Sequence, residues 1–250
     1  MTSIVLNLPH AATDIPERYF YQFCAELQSE MFILTDWFTD DLFQVDGAHR
    51  VVAPVNRILV DTERFSDDSL ESMAALGMGC LYSHGPSGQR LRHDLSTQER
   101  EELLTRYYAA HHNALVTAVN ACLDKNDKCL LVDCHSFPDT PMPHEQDLEL
   151  RPDFCLGTTK RNTPADLQGF IQEGLKSFGY TVAINHPYKG CLLPSVFDGD
   201  ARVTAIMIEV NRKLYMDQAA YQDEVPEKGN NFSVVVNHLT DLIGGVAARS

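Results

Sequence analysis

The chain has no C-x-x-C pair, and its seven cysteines (24, 80, 122, 129, 134, 155 and 191) make an odd number. That count disfavours a disulfide framework or a cysteine zinc knuckle, and most of these thiols read as buried, reduced, small apolar residues. Basic residues are scarce: 20 Lys and Arg stand against 35 Asp and Glu, a formal charge of −15 at pH 7. A phosphate backbone needs clustered Lys and Arg, so no nucleic-acid partner is expected, and an anionic substrate would need locally placed arginines. No apolar run approaches the roughly 20 residues of a membrane span, so no membrane partner is expected either. The amino terminus, "MTSIVLNLPH", lacks the basic flank and apolar length of a signal peptide, which makes cytoplasmic the expected location. No repeat, linker or low-complexity segment divides the 250 residues, so 1–250 reads as a single domain with a sizeable core. "GPSG" at 85–88 lacks the strand and the Lys-Ser/Thr of a phosphate loop, and no G-x-S-x-G elbow occurs.

What is present alternates between strand-like and helix-like runs. Ile4–Leu8 reads as a first strand, broken by Pro9-His10. "DIPERYFYQFCAEL" has Pro16 near a helix start, and "TDWFTDDLFQV" reads as a short helix capped by Thr35 or Asp36. Val51–Pro54 and Ile58–Val60 are β-like, and residues 83–96 read as a loop or lid. The clearest helix is "STQEREELLTRYYAAHHNALVTAVNACL", where Ser96 and Glu99 fit a capping box. Strands at 128–134, 153–157, 180–184 and 203–210, with helices near 163–177 and 231–246, complete the pattern, beside a proline-rich loop at 137–152. The alternation predicts an α/β fold, a three-layer α/β/α sandwich around a mixed, mostly parallel sheet.

Three apolar strands end in polar residues. "IVLNLPH" ends on His10, "LLVDCHS" on His135, and "VTAIMIEVNR" on Glu209, Asn211 and Arg212. Polar groups ending buried strands are costly unless partnered, and open α/β sheets keep their ligands at strand carboxyl ends. Two imidazoles and a carboxylate are the ingredients of a catalytic zinc site, although each histidine also reads as a strand terminus bonded to backbone. Glu209 follows an apolar run and needs a cation, a metal or a raised pKa; Arg212 is an available ion-pair partner. Asp36, beside the lone Trp37, is either a helix cap or a site residue. His144-x-x-Asp147 and His238-x-x-Asp241 have metal-like spacings but fall in an acidic loop and on a polar helix face. His111 and His112 are adjacent on a helix, where at most one faces a site. Cys134 and Ser136 flank His135, but neighbours on a strand diverge, which argues against either as a nucleophile.

The segments "NLPHAATDIPERY", "TDWFTDDLF", "NRILVDTERF", "YYAAHHNAL", "VDCHSFPDTP", "RPDFCLGT", "NHPYKGC" and "IEVNRKLYMD" resemble, in this order, the N-formylglutamate amidohydrolase family. The resemblance spans about residues 4–217 and implies a phosphorylase/hydrolase-like fold related to the zinc carboxypeptidases and aspartoacylases. There a strand ending in His-Ser supplies a zinc ligand and a later strand supplies a glutamate base. The resemblance implies zinc bound by His10 and His135 with Asp36 as third ligand, and Glu209 as general base. It also makes Arg64, Arg151, Arg212 and Tyr188 candidates for binding an anionic small-molecule substrate. Departures exist. Pro9-His10-Ala11-Ala12 replaces the usual Pro-His-Ser-Gly, and Asp61-Thr62-Glu63-Arg64 replaces Asp-x-Asn-Arg, with Glu63 adding negative charge. The His-x-x-Glu zinc pair is missing, since Thr13 stands at that spacing. These changes bear on substrate identity more than on metal chemistry.

The expected activity is metal-dependent hydrolysis of N-formyl-L-glutamate, or a related N-acyl amino acid, to an acid and an amine. A carboxypeptidase-like or deacylase activity on another small acyl amino acid is the alternative among enzymes. A non-catalytic metal-binding relative is the alternative outside them, and it leaves a retained Glu209 without a purpose.

Overall fold

The computed structural model describes residues 3–143, 145, 151–217 and 225–249. The apolar runs form one sheet from β1 (Ser3–Leu8), β2 (His49–Val52), β3 (Cys129–Phe137), β4 (Phe154–Gly157), β5 (Val182–Ile184) and β6 (Val203–Asn211), in the order β2-β1-β3-β6-β4-β5. The first four strands of that order are mutually parallel, and β4 pairs antiparallel to β6. The sheet is therefore mixed and mostly parallel.

Side chains alternate between the faces of a strand, and here the two faces carry different helices. Ile4, Leu6 and Leu8 join Leu130, Val132 and Ile206 in one core. Leu167, Ile171 and Leu175 of α5 (Ala165–Ser177) and Leu239 and Ile243 of α6 (Phe232–Arg249) complete it. On the other face Val5, Leu131 and Ala205 pack on Leu115, Val119 and Cys122. These three belong to the long helix, which starts as α3 (Thr97–Leu103), widens to a π turn over Leu104–Ala109 and continues as α4 (Ala110–Asn126). Helices on both faces make the three layers expected from the alternation. The capping box is present, with Ser96 and Glu99 satisfying each other's backbone N–H groups. Asp127, at φ 55, ends the helix in the left-handed region.

Three expectations are corrected. Ile58–Val60 is a turn rather than a strand: the carbonyls of Ile58 and Leu59 accept from the buried Arg92 guanidinium at 2.7 and 2.9 Å, instead of from a neighbouring strand. The segment after Pro16 forms only a 3-10 turn, Glu17–Gln22. The "TDWFTDDLF" stretch is not one capped helix: α1 (Gln28–Leu34) stops before it and α2 (Thr39–Leu42) starts within it. Phe38, at φ 61, makes the break between them, and neither Thr35 nor Asp36 caps a helix with its side chain. His144-x-x-Asp147 lies outside the described residues, where the proline-rich loop is only partly covered. Among the described residues no helix is long and apolar enough to cross a membrane.

Ile206 sits fully buried on β6, the strand flanked by β3 and β4. Ile206→Ala should lower unfolding free energy by about 2–5 kcal/mol, the usual range for a core truncation. Denaturant melts that leave the midpoint unchanged would contradict this account of the core.

Candidate active site

β3 and β6 are paired in register, so His135 stands beside Glu209 and Asp133 beside Met207. All four side chains lie on the face that α4 covers, but beyond the apolar rows at Leu131 and Ala205. Asn7 of β1 pairs with Asp133 and extends this polar end of the sheet. His10 follows β1 directly, and its carbonyl accepts from the Asp36 N–H at 3.0 Å, which ties the 35–38 link to the same place. A cavity of about 500 Å³ opens here, with His10, Asp36, His135, Glu209, Arg64 and Tyr188 in its wall.

The two imidazoles are arranged alike. Asp36 Oδ2 lies 3.6 Å from His10 Nδ1 and 3.1 Å from His135 Nδ1. On the far side, His10 Nε2 lies 2.8 Å from Asp61 Oδ1, and His135 Nε2 lies 3.2 Å from Asp133 Oδ1. A carboxylate only accepts, so it favours an N–H at each Nε2. Asp36 makes the same demand on Nδ1, and His135 Nδ1 donates to it at 3.1 Å in the absence of a cation; with a cation bound, the Nδ1 protons would be displaced and both Nδ1 lone pairs and Asp36 Oδ2 would face the same ion. That is the carboxylate–histidine–metal arrangement, in which an outer carboxylate sets the tautomer and the inner nitrogen binds a cation. Ligand atoms of His10, Asp36 and His135 all lie within 4.8 Å of one another, and His10 Nδ1 has no hydrogen-bond partner among the described residues. Two imidazoles and a carboxylate suit zinc, and the residues fit such a group. Glu63, Asp133 and His135 form a second close trio through His135 Nε2, which has no hydrogen-bond partner among the described residues; it offers one imidazole where the first trio offers two.

The electrostatics lean the same way. Asp36, Asp61, Glu63, Asp133 and Glu209 outnumber the nearby guanidinium groups of Arg57, Arg64 and Arg212. A cation between the imidazoles would offset that excess. In the metal-free protein, burial raises the Asp36 pKa, but the adjoining His10 and His135 rings hold it far below the usual range. Burial likewise opposes charge on His135, yet Asp133 and Asp36 keep its pKa well above the ordinary value. Glu209 is different. Burial pushes it up to about 8 against the pull of His135, and its Oε2 has no hydrogen-bond partner among the described residues. A carboxyl poised near neutrality with a free oxygen in a cavity is suited to moving a proton.

The arginines named from the sequence have distinct surroundings. Arg212 does not pair with Glu209 by hydrogen bond or ion pair: it donates to Asp36 Oδ1 (3.2 Å), Ser136 Oγ (3.1 Å) and the Ile33 carbonyl (2.7 Å). Arg151 donates to the Tyr188 hydroxyl at 2.9 Å and pairs with Glu145, which also accepts from Tyr188 at 2.7 Å. Arg64 is the loosest, 27% exposed, with Asp61 and Glu71 at 3.7 and 3.8 Å and no hydrogen bond at Nε. Cys134 faces the opposite core, and burial raises its thiol pKa. Sequence reasoning did not give roles to Arg57, which holds Asp61 Oδ2 through Nε and Nη2 (3.1 and 2.7 Å), or to Asn7, Asp61 and Asp133. The signal was available in "VDCHS" and "VDTER", where an aspartate precedes each assigned residue by two or three positions.

A family model described as N-formylglutamate amidohydrolase matches residues 2–216. Among solved structures, the chain is similar to the N-formylglutamate amidohydrolase from Ralstonia eutropha JMP134, with 24% identity and a TM-score of 0.85, covering 99% of this chain and 95% of that one. It is also similar to a gene product from Agrobacterium tumefaciens, with 15% identity and a TM-score of 0.64, covering 98% and 92%. Both likenesses are of fold. No curated protein matches the chain.

Arg212 and Asp36 are both almost fully buried, and removing one partner of such a pair leaves an uncompensated charge. Arg212→Leu should therefore cost about 3–5 kcal/mol of stability. A denaturant midpoint within error of wild type would show that Asp36 does not depend on this guanidinium.

Proposed function

The chain belongs to the N-formylglutamate amidohydrolase family, and we propose that it is a metal-dependent amidohydrolase that converts N-formyl-L-glutamate and water to formate and L-glutamate. The observation that carries the metal is the paired arrangement of His10 and His135, each with Nδ1 toward Asp36 and Nε2 toward a buried aspartate. His10, His135 and Asp36 would hold one zinc ion. When bound, zinc lowers the pKa of water toward about 7 and polarises a carbonyl oxygen.

The remaining work falls to the chain's own groups. Glu209 Oε2 accepts the proton of the attacking water and returns it to the departing nitrogen, as a base poised near neutrality does. A nearby cation would draw the Glu209 pKa down from about 8, toward the ionised form that this role needs. Arg64 is the anchor for a substrate carboxylate, because its guanidinium reaches the cavity without a committed hydrogen bond. Arg57 and Arg212 are taken up by Asp61 and Asp36, and Arg151 with Tyr188 is taken up by Glu145. Arg57 and Arg212 act on substrate indirectly, by fixing the carboxylates behind and between the imidazoles.

One observation favours a second substrate choice. Glu63 lines the cavity beside Arg64, at the place where the motif it resembles carries a neutral Asn. A carboxylate there opposes a second acidic group on the substrate, which supports a different small N-acyl amino acid. A panel of N-acyl amino acids, assayed with and without chelator, separates the two.

Purified protein should contain one zinc per chain and lose hydrolysis when the metal is stripped; full activity in the stripped protein would overturn the reading. Glu209→Gln should keep its metal while kcat falls about 10²–10⁴-fold, the span of general acid–base catalysis. A variant that instead loses zinc would recast Glu209 as a ligand. Arg64→Lys keeps the charge but not the planar fork, so KM for N-formyl-L-glutamate should rise more than kcat falls. An equal KM in wild type and variant would remove Arg64 from substrate binding.

A further inference from the structure

His111 and His112 lie in the first turn of α4; His111 extends the sheet-facing stripe of Leu115, Val119 and Cys122 toward the polar end of the sheet, and His112 is the next residue round the helix. His111 is buried, and its Nε2 lies 2.9 Å from Asn7 Oδ1. The Asn7 amide donates onward from Nδ2 to Asp133 Oδ1 (2.8 Å) and to Glu63 Oε1 (3.0 Å). Both of those partners accept only, so the amide's orientation is set: Oδ1 faces His111, and His111 must carry its proton on Nε2. His112 Nε2 lies 2.9 Å from the Thr62 carbonyl. Thr62 stands between Asp61, which meets His10 Nε2, and Glu63, whose own N–H donates to Asp61 Oδ1 at 3.0 Å. Successive helical residues are about 100° apart, so the adjacent pair reaches two different segments: β1 through His111 and the 61–64 link through His112.

We propose that the His111–His112 pair is a clamp of positioning residues that sets the outer carboxylates against both metal-binding imidazoles. His111 acts through Asn7 on Asp133 and thus on His135; His112 acts through the Thr62 backbone on Asp61 and thus on His10. The inference rests on the metal reading above. Packing alone does not account for His111. Its Nδ1 is buried without a partner among the described residues, and an apolar side chain would fill the space without burying polar nitrogen. Burial keeps the ring neutral, with its pKa lowered to about 4, so the Nε2 proton stays in place as a single directed donor. The sequence expectation that at most one of the two histidines faces a site leaves out this joint role, in which neither touches the site and each supports one of its imidazoles.

The test is zinc affinity, measured by competition with a chromogenic chelator, for wild type, His111→Leu, His111→Gln and His112→Ala. Loss of an outer-shell partner typically weakens metal binding 10–100-fold, so His111→Leu and His112→Ala should fall by roughly that factor while His111→Gln, which keeps an N–H donor, stays within about threefold. Wild-type affinity in His111→Leu, or a His111→Gln variant as weak as His111→Leu, would overturn the clamp. If His111→Leu fails to fold, His112→Ala decides, and its binding zinc as tightly as wild type overturns the proposal. Wild-type protein that binds no zinc overturns the metal reading itself, an outcome distinct from a clamp that fails while wild type binds.

Discussion

Everything at the polar end of the sheet is organised around one buried carboxylate. Asp36 is almost fully enclosed, and an ionised carboxylate in such a place is untenable without partners. It meets His10 and His135 through Oδ2 and Arg212 through Oδ1. Those contacts dictate where the neighbouring elements go. The chain between α1 and α2 abandons helical geometry so that Asp36 turns inward. Arg212, at the exit of β6, lines the cavity and directs its guanidinium to Asp36, Ser136 and Ile33 there. β1, β3 and β6 thus converge on a common partner, although each comes from a different third of the chain.

One aspartate lies between the imidazoles, and a further one lies behind each of them. Asp61 and Asp133 are held by groups that contribute no chemistry of their own: Arg57 and Tyr82 grip Asp61, while Asn7 and the Leu192 N–H grip Asp133. Such layered support is what a metal centre requires, since a ligand that rotates freely gives up affinity. Glu209 stands apart from this web, with an oxygen left unpartnered among the described residues.

The fold and the metal-ligand candidates were legible in the sequence to different depths. Strands β1, β3 and β6 announce themselves as apolar runs, and polar residues at their ends are conspicuous because burial there is expensive. The capping box at Ser96 is a local signal and is present as read. Ile58–Val60 misled, because a β-like run says nothing about which group will bond its carbonyls; the buried Arg92 guanidinium, 33 and 34 residues away, takes them. Asp36 looked equally like a helix cap, since Thr35-Asp36 before an amphipathic stretch satisfies that local rule. Only the approach of His10 and His135 separates the two uses.

The sequence by itself determined the apolar runs of the strands, the polar residue types at their carboxyl ends, the start of the long helix, and the family whose motifs those residues carry. Those are local properties of side chains and of short-range hydrogen bonding, written within a few residues of where they act. The tertiary structure decided how the arginines divide, with Arg57, Arg151 and Arg212 hydrogen-bonded to carboxylates and Arg64 only at ion-pair distance from Asp61 and Glu71, and it decided that His111 meets Asn7 and His112 the Thr62 carbonyl. Pairings across 104 or 176 residues, such as His111 with Asn7 and Arg212 with Asp36, depend on which strands become neighbours. That adjacency follows from sheet order and from the helices packed on each face, and no local pattern encodes it.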